Sequence, residues 1–461
     1  MVVHRPARHK VCQRLIRTRE RTRGLHIPYR FQGFRNMKRV CAGERRNQDM
    51  AESTFHTSVL NNGLKVVFES IPALGSAAVG FLVRTGSRDE PRERAGMSHF
   101  LEHMCFKGTY RRTWEEINRE VDTLGALWNA FTWWEGTAYY HWVQARRVDD
   151  SVDILSDMMR PRLDMDDFTT EKQVILEEIS MYNDNPSALI VDRLIQRAFG
   201  DHPLGVSVLG TLESVGAVEH SDMSAYFRRR YNPNNMVFLA SGSLDGDRLL
   251  ETVARCTASW FPGDGGRRQS APAFCPGARW FVRPEITREH LAMAWPGPPI
   301  GSDWEITARV LARYFGDREN SRLYWAVKQK GLVDQVSASH YGFTDAGFLY
   351  VYASCAPSKA REVLNLIRGE LAELHGNVHE AALGRARIKA ESSLAREAEH
   401  GLYRWMQLAE RESAGIPPEN VLETTRRIQA VTPERVGEFL KVFPLNGDPV
   451  LVGVGPLEGL D

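Results

Sequence analysis

NNMVFLASGSL at residues 234–244 and GDPVLVGVGPL at residues 447–457 share one plan, a polar start, a short apolar run and a small-residue turn ending in leucine. Each closes a series of strands and helices laid out in the same order. In the first series, Asn62-Gly63 is a hairpin signal between Leu60 and a strand at 64–68, and a second strand follows at 77–83. Apolar periodicity then predicts helices at 95–106 and 113–124, strands at 127–133 and 137–144, and helices at 147–158, 167–182, 186–199 and 222–230. Strand 235–240 and helix 245–260 complete that half. The stretch GDGGRRQSAPAFCPG, 263–277, has the Gly, Pro and Ser content of a linker. Beyond it the order repeats: strands at 279–283 and 289–295, helices at 304–315 and 320–330, strands at 333–340 and 347–354, helices filling 358–437, and a last strand at 449–454. Thr432-Pro433-Glu434 reads as a helix cap with proline at the first helical position. The expectation is an α+β fold made by duplication, two homologous α/β-sandwich domains in tandem, each an antiparallel-rich sheet covered by helices. Their bounds are read as 51–262 and 278–461, joined by the 263–277 linker.

A chain of 461 residues is too long for one small module, and 25% charged with 43% hydrophobic residues is a globular composition. No apolar run approaches the roughly 18 residues of a membrane-spanning helix. The net charge of +1 conceals an asymmetry: residues 1–50 hold 14 Arg and Lys against three acidic residues, a net +11, which leaves −10 for the rest. Two readings fit this basic leader, a mitochondrial transit peptide or sequence lying upstream of a true start at Met50. The first places the protein in the mitochondrial matrix and the second in a bacterial cytoplasm. The mildly acidic body offers no electrostatic case for nucleic acid, and nothing in it asks for a membrane. Six cysteines, at 12, 41, 105, 256, 275 and 355, form no CxxC pair and read as free thiols.

The chemistry gathers in GMSHFLEHMCFKGT, 96–109. At 100° per residue Met97, Phe100, Leu101 and Met104 form one apolar stripe, and His99, Glu102 and His103 fall on the opposite face. Two imidazoles at i and i+4 can reach one metal ion, and a carboxylate beside them can take a proton from water at that metal. The order is HxxEH, the inverse of HExxH. A catalytic zinc needs a third protein ligand, and EKQVILEEISMYND, 171–184, offers candidates. Glu171 and Glu178 share a stripe with Val174 and Ile175, whereas Glu177 points away. A carboxylate on an apolar stripe needs a partner, which a metal or a basic side chain can be.

These motifs, with LGALWNAFTWWEGTAYY at 124–140, EKQVILEEI at 171–179 and HPLGVSVLGT at 202–211, resemble the inverzincin zinc metallopeptidases of the pitrilysin and insulinase family. The similarity is greatest to its half-length branch, which includes the mitochondrial processing peptidase β subunit and bacterial relatives, and it runs from about residue 55 to the C-terminus. It implies a half-clamshell fold and zinc-dependent cleavage of extended peptides or leader segments. His99, His103 and Glu178 would be the Zn2+ ligands. Seventy-four residues separate His103 from Glu178, a spacing at which the family carries its third ligand. Glu102 would be the general base and Glu171, seven residues before that ligand, a supporting carboxylate. The family binds its peptide substrate as an added strand, and NAFT at 129–132 matches that edge, making Asn129 and Ala130 candidates for main-chain substrate contacts. Trp133 and Trp134 follow, where relatives carry smaller residues. They are candidates to wall a pocket, although consecutive strand residues face opposite ways and at least one belongs to a core.

Two departures concern partners. Relatives carry an Arg and a Tyr in the C-terminal half that hold substrate carbonyls, but VKQKGLVD, 327–334, places Val327 and Asp334 there. The second half also has no HxxEH in 303–317. The chain therefore resembles the zinc-bearing subunit of a heterodimer whose homologous partner supplies the Arg and Tyr; the other reading is a homodimer that uses Lys328. A noncatalytic peptide-binding or assembly subunit of the same fold is the alternative function, set against the fully retained metal motif.

Overall fold

The computed structural model describes residues 53–267, 270, 272–374 and 376–460, so the leader lies outside the described residues, as does part of the linker. Eleven strands form two sheets among these residues. The first contains β1 (Thr54–Val59), β2 (Lys65–Ser70), β3 (Ser76–Val83), β4 (Leu127–Thr132), β5 (Thr137–Gln144) and β6 (Met236–Gly242), in the order β1-β2-β6-β3-β5-β4. The second contains β7 (Gly277–Val282), β8 (Glu289–Gly297), β9 (Val333–Gly342), β10 (Gly347–Cys355) and β11 (Val450–Gly455), in the order β7-β11-β8-β10-β9. Removing β1 leaves two sheets of one topology. In each, the neighbour pairs are antiparallel except one, β2 with β6 and β7 with β11. The two quoted stretches are β6 and β11, in equivalent places, which is the duplication expressed in three dimensions.

Alternation decides which side of each strand meets which layer. Along β3, Ala77, Val79, Phe81 and Val83 face one core, and Ala78 and Leu82 face another. The first core is roofed by helices of the same half: α1 (Met97–Met104), α2 (Trp114–Leu124), α3 (Val148–Met158) and α4 (Met165–Asn183). The second half has a matching core of its own. The opposite faces are covered by exchange. Helix α5 (Pro186–Phe199) belongs to the first half, yet Leu189, Ile190 and Ile195 pack with Ala292, Tyr350 and Val452 of the second sheet. The helix Gly401–Ser413 belongs to the second half, yet Trp405, Leu408 and Ala409 pack against Val67, Leu82 and Leu239 of the first. Trp405 is 0% exposed and its Nε1 donates to the Leu239 carbonyl at 2.9 Å. Gly80 makes room for it, since a Cβ there would lie 2.8 Å from the Trp405 ring and 2.1 Å from the Tyr139 carbonyl. Beside it Arg404 forks onto Glu69 at 2.8 and 2.5 Å, both side chains buried. The described residues accordingly make one compact unit with two sheets.

Local reasons for the elements are visible at their ends. Thr113 and Glu116 form a reciprocal capping box on α2, Asp164 caps α4, and Asn185 with Pro186 opens α5. Thr432 caps the Pro433–Val442 helix as the sequence predicts. Two predicted helices differ. The 245–260 helix ends at Cys256, and the 320–330 helix is a short turn with π-type bonding at Tyr324–Lys328, a wider ring that apolar periodicity does not distinguish from an α-turn. Helix Glu305–Gly316, the counterpart of α1, turns Ile306, Val310, Leu311 and Phe315 into the second core and contains no histidine. The described cysteines, 105, 256, 275 and 355, are free thiols. No helix among the described residues is long and apolar enough to cross a membrane.

Candidate active site

Helix α1 is fixed before its polar face is used. Met97, Phe100, Leu101 and Met104 are each at most 2% exposed, and burial of such side chains contributes about 1.5–3 kcal/mol apiece. Its N-terminus is held by Glu90, whose carboxylate accepts the backbone N–H of Gly96 at 2.7 Å and of Ser98 at 2.5 Å, at the positive end of the helix dipole. Gly96 has φ +93, and a Cβ there would lie 2.5 Å from the Leu209 carbonyl. The helix is thus pressed against the loop at 205–211, which explains the glycine opening the motif.

The opposite face of α1 looks into a recess between α4 and the end of β4 instead of into open solvent: His99 is 8% and Glu102 7% exposed. Across the recess α4 presents Glu171 and Glu178 one above the other, while Glu177 is exposed. Donor atoms of His99, His103 and Glu178 all lie within 4.8 Å of one another. Glu178 Oε2 is 4.0 Å from His99 Nε2 and 3.7 Å from His103 Nε2. Donors about 2.0–2.1 Å from a tetrahedral zinc stand roughly 3.4 Å apart, so these two separations are each within about 1 Å of that spacing. His103 Nδ1 is engaged with Glu171 Oε1 at 2.8 Å, which leaves Nε2 as its free lone pair. Glu171 is 5% exposed, and its other oxygen is paired with Lys107. His99 Nδ1 is buried without a hydrogen-bond partner among the described residues. Two imidazoles and one carboxylate, with a carboxylate behind one imidazole, suit a zinc-type ion.

Burial holds the His99 imidazole well below its ordinary pKa, with His103 adding to the effect, so it is neutral and able to ligate. Burial also pulls His103 down, but the Glu171 hydrogen bond and the charges of Glu102 and Glu178 outweigh it and leave the group raised. Burial pushes Glu102 up to about 7 against the lowering pull of His103 and Thr132, in the range that suits a proton acceptor near neutrality. Burial raises Glu171, but His103 and Lys107 win and hold it below the usual carboxylate range.

Asn129 and Ala130 lie on β4, which among the described residues pairs with β5 alone and is a sheet edge. The Ala130 side chain is buried under α1 at 4% exposure, whereas Asn129 faces the other side and bonds Tyr140. Trp134 is core: Nε1 donates to the Val206 carbonyl at 3.0 Å and the ring packs edge-on against Tyr341 and Phe343 of the second half. Trp133 is half-buried against Phe131. A cavity of about 520 Å³ opens beside α4, lined by Ile179, Tyr182, Leu189, Asp192, Arg193 and Leu209 among others; neither tryptophan lines it. Val327 is 0% exposed in the second core, Asp334 pairs with Arg288 at 2.5 Å, and Lys328 donates to the Asp334 carbonyl.

Lys107 and Thr132 are site residues that sequence reasoning missed. Thr132 had a signal, being i+2 from Ala130 on the strand face that meets α1; Lys107 lies in the bend beyond the end of α1, where helical spacing gives none.

The chain is similar to known proteins along most of its length. Residues 65–212 match the model of the insulinase family, peptidase family M16, and residues 217–389 match the M16 inactive domain. An uncharacterized zinc protease of Mycobacterium leprae is 34% identical over 355 residues, 75% of this chain and 79% of the relative. One from Rickettsia felis is 29% identical over 414 residues, 88% of this chain and 100% of the relative. The crystal structure of a protease from Helicobacter pylori shares the fold, with a TM-score of 0.82 at 20% identity, covering 87% of this chain and 100% of that one. An HxxEH helix facing a glutamate-bearing helix, on a duplicated α+β frame matched along most of its length, places the chain in the insulinase family of peptidases, family M16.

Proposed function

We propose that the protein is a zinc endopeptidase that cleaves extended peptides, with leader segments as the substrate class. The observation that carries this reading is the convergence of His99, His103 and Glu178, with Glu102 on the same helix beside the free edge of β4. The names of the relatives carry zinc, and the donor set fits it. When bound, zinc supplies Lewis-acid polarisation of a carbonyl and acidifies water. His99, His103 and Glu178 hold the ion; Glu171 fixes the His103 tautomer through Nδ1. Glu102 accepts the proton of the attacking water and returns it to the leaving amine. The β4 edge takes the substrate main chain as an added strand at Asn129 and Ala130, and the cavity beyond Ile179 has room for a substrate side chain.

The buried Val327 and the ion-paired Asp334 offer no group that could grip a substrate carbonyl in trans. This supports a heterodimer whose homologous partner supplies an Arg and a Tyr to the zinc-bearing subunit. Glu102→Gln is the decisive variant: retained zinc with lost cleavage is expected, and unchanged cleavage refutes the mechanism. Full peptidase activity of the purified chain alone would refute the need for a partner.

A further inference from the structure

A general base works only while one of its lone pairs stays on the water it deprotonates, so a carboxylate on a flexible stem needs a second anchor. Glu102 hangs from α1, but its anchor comes from the sheet. Thr132 Oγ1 donates to Glu102 Oε2 at 2.6 Å, the length of a hydrogen bond strengthened by an ionised acceptor. Among the described residues Thr132 is the side chain that hydrogen-bonds this carboxylate.

The Thr132 hydroxyl is itself held in place. Threonine is β-branched and stiff at χ1, and Thr132 is the last residue of β4, in register with Thr137 of β5. Thr137 Oγ1 lies 3.3 Å from Thr132 Oγ1 and donates to the Thr85 carbonyl at 2.9 Å, both residues being 1% exposed. The single Thr132 hydrogen therefore has a near acceptor at 2.6 Å and a distant one at 3.3 Å, and goes to Glu102. The turn that follows is clamped as well. The N–H of Arg88 donates to the Trp134 carbonyl at 2.9 Å, and Glu135, 2% exposed, accepts from Arg88 at 2.7 Å and from the Thr344 N–H at 2.8 Å.

We propose that Thr132 is the positioning residue for Glu102, holding the carboxylate in the orientation in which it takes the proton. Because Thr132 ends the same strand that offers its edge to the substrate, one rigid element sets both the peptide and the base. The inference rests on the reading of Glu102 as general base and deepens it.

The test uses the full chain loaded with zinc, with its partner if cleavage requires one, and a fluorogenic peptide. Thr132→Val keeps the shape and removes the hydroxyl; kcat is expected to fall by roughly 10- to 100-fold while KM and zinc content stay unchanged. Thr132→Ser, which keeps the hydroxyl, restores most of that loss. A second readout needs no turnover: in metal-free protein, the melting-temperature changes of Thr132→Val and Glu102→Ala are expected to be non-additive, the valine change costing less once the carboxylate is gone. If Thr132→Val does not fold, Thr132→Ala takes its place in both measurements. Parental kcat in the valine variant, a serine variant as defective as the valine one, or additive melting shifts would each overturn the proposal. Normal cleavage by Glu102→Gln removes the base assignment itself, whereas an inactive Glu102→Gln beside a fully active Thr132→Val removes only the positioning role.

Discussion

Replacing Glu171 by glutamine tests how the metal site is preorganised. The carboxylate is 5% exposed, accepts from His103 Nδ1 at 2.8 Å and is paired with Lys107 on its other side. Glutamine keeps the volume but loses the charge, and its amide can present either an acceptor or a donor to Nδ1, so the His103 tautomer is no longer dictated. Outer carboxylates of this kind govern about 10- to 100-fold in metal affinity, which corresponds to about 1.4–2.7 kcal/mol. Competition with a zinc chelator would measure it. A second, pH-dependent readout follows from the raised His103. A group whose folded pKa lies above its unfolded value of 6.5 contributes its full stabilisation below pH 6.5 and loses it as pH rises through the folded value. The metal-free protein should thus lose this contribution over the window that opens at pH 6.5 and runs up through the folded value. Zinc competes for the same imidazole, so its affinity should climb over that window. His99, held low by burial, is neutral in the folded protein and takes up a proton only on unfolding, so near pH 6.5 its contribution runs opposite to that of His103 and it fades above that pH. Because the Glu171 hydrogen bond leads the groups that raise His103, Glu171→Gln should flatten both dependences as well as weaken zinc. Parental zinc affinity with unchanged pH curves would refute the reasoning.

Trp405→Ala should cost about 3–5 kcal/mol in chemical denaturation, since it empties the largest side chain of the cross-packed layer and frees the Leu239 carbonyl. Arg404→Met leaves Glu69 buried and unpaired, a loss of about 3–5 kcal/mol, and adding Glu69→Leu should recover much of it in the same assay. Gly96→Ala combines positive φ with a clash against the Leu209 carbonyl and should cost about 2–4 kcal/mol, with lower zinc content expected in parallel because the displaced helix carries His99 and His103, two of the three proposed ligands.

What could be read from the sequence was what local periodicity encodes. The stripe of Met97, Phe100, Leu101 and Met104 fixed the facing of His99, Glu102 and His103, and the 3.6-residue repeat separated Glu178 from its neighbour Glu177. The repeated order of β2 to β6 and β7 to β11 was equally legible, because both sheets are built from short runs bounded by turn residues. Periodicity failed where a distant segment decides the environment. Trp133 and Trp134 alternate across the sheet, but only the arrival of Tyr341 and Phe343 from the second half makes Trp134 core. The Tyr324–Lys328 turn has helical composition and a wider ring of bonds. Glu90 holds the N-terminus of α1 from six residues upstream, outside any capping box that spacing rules would flag.

The exchange of helices ties the second half to the candidate site through packing. The first sheet has two apolar faces, and its own helices cover one. Val67, Ala78, Leu82, Ala138, Val237 and Leu239 on the other are all 0% exposed because the Gly401–Ser413 helix lies over them. Without that helix the back of β3, β5 and β6 would be open, and β5 is the strand against which β4 is registered. The second half therefore reaches the chemistry through the sheet: Trp405 and Arg404 support β2, β3 and β6 from behind, β5 holds β4, and β4 carries Thr132 to Glu102. That chain of support needs no histidine on the Glu305–Gly316 helix. It does require the helix at 401–413, because that helix covers the back of the first sheet.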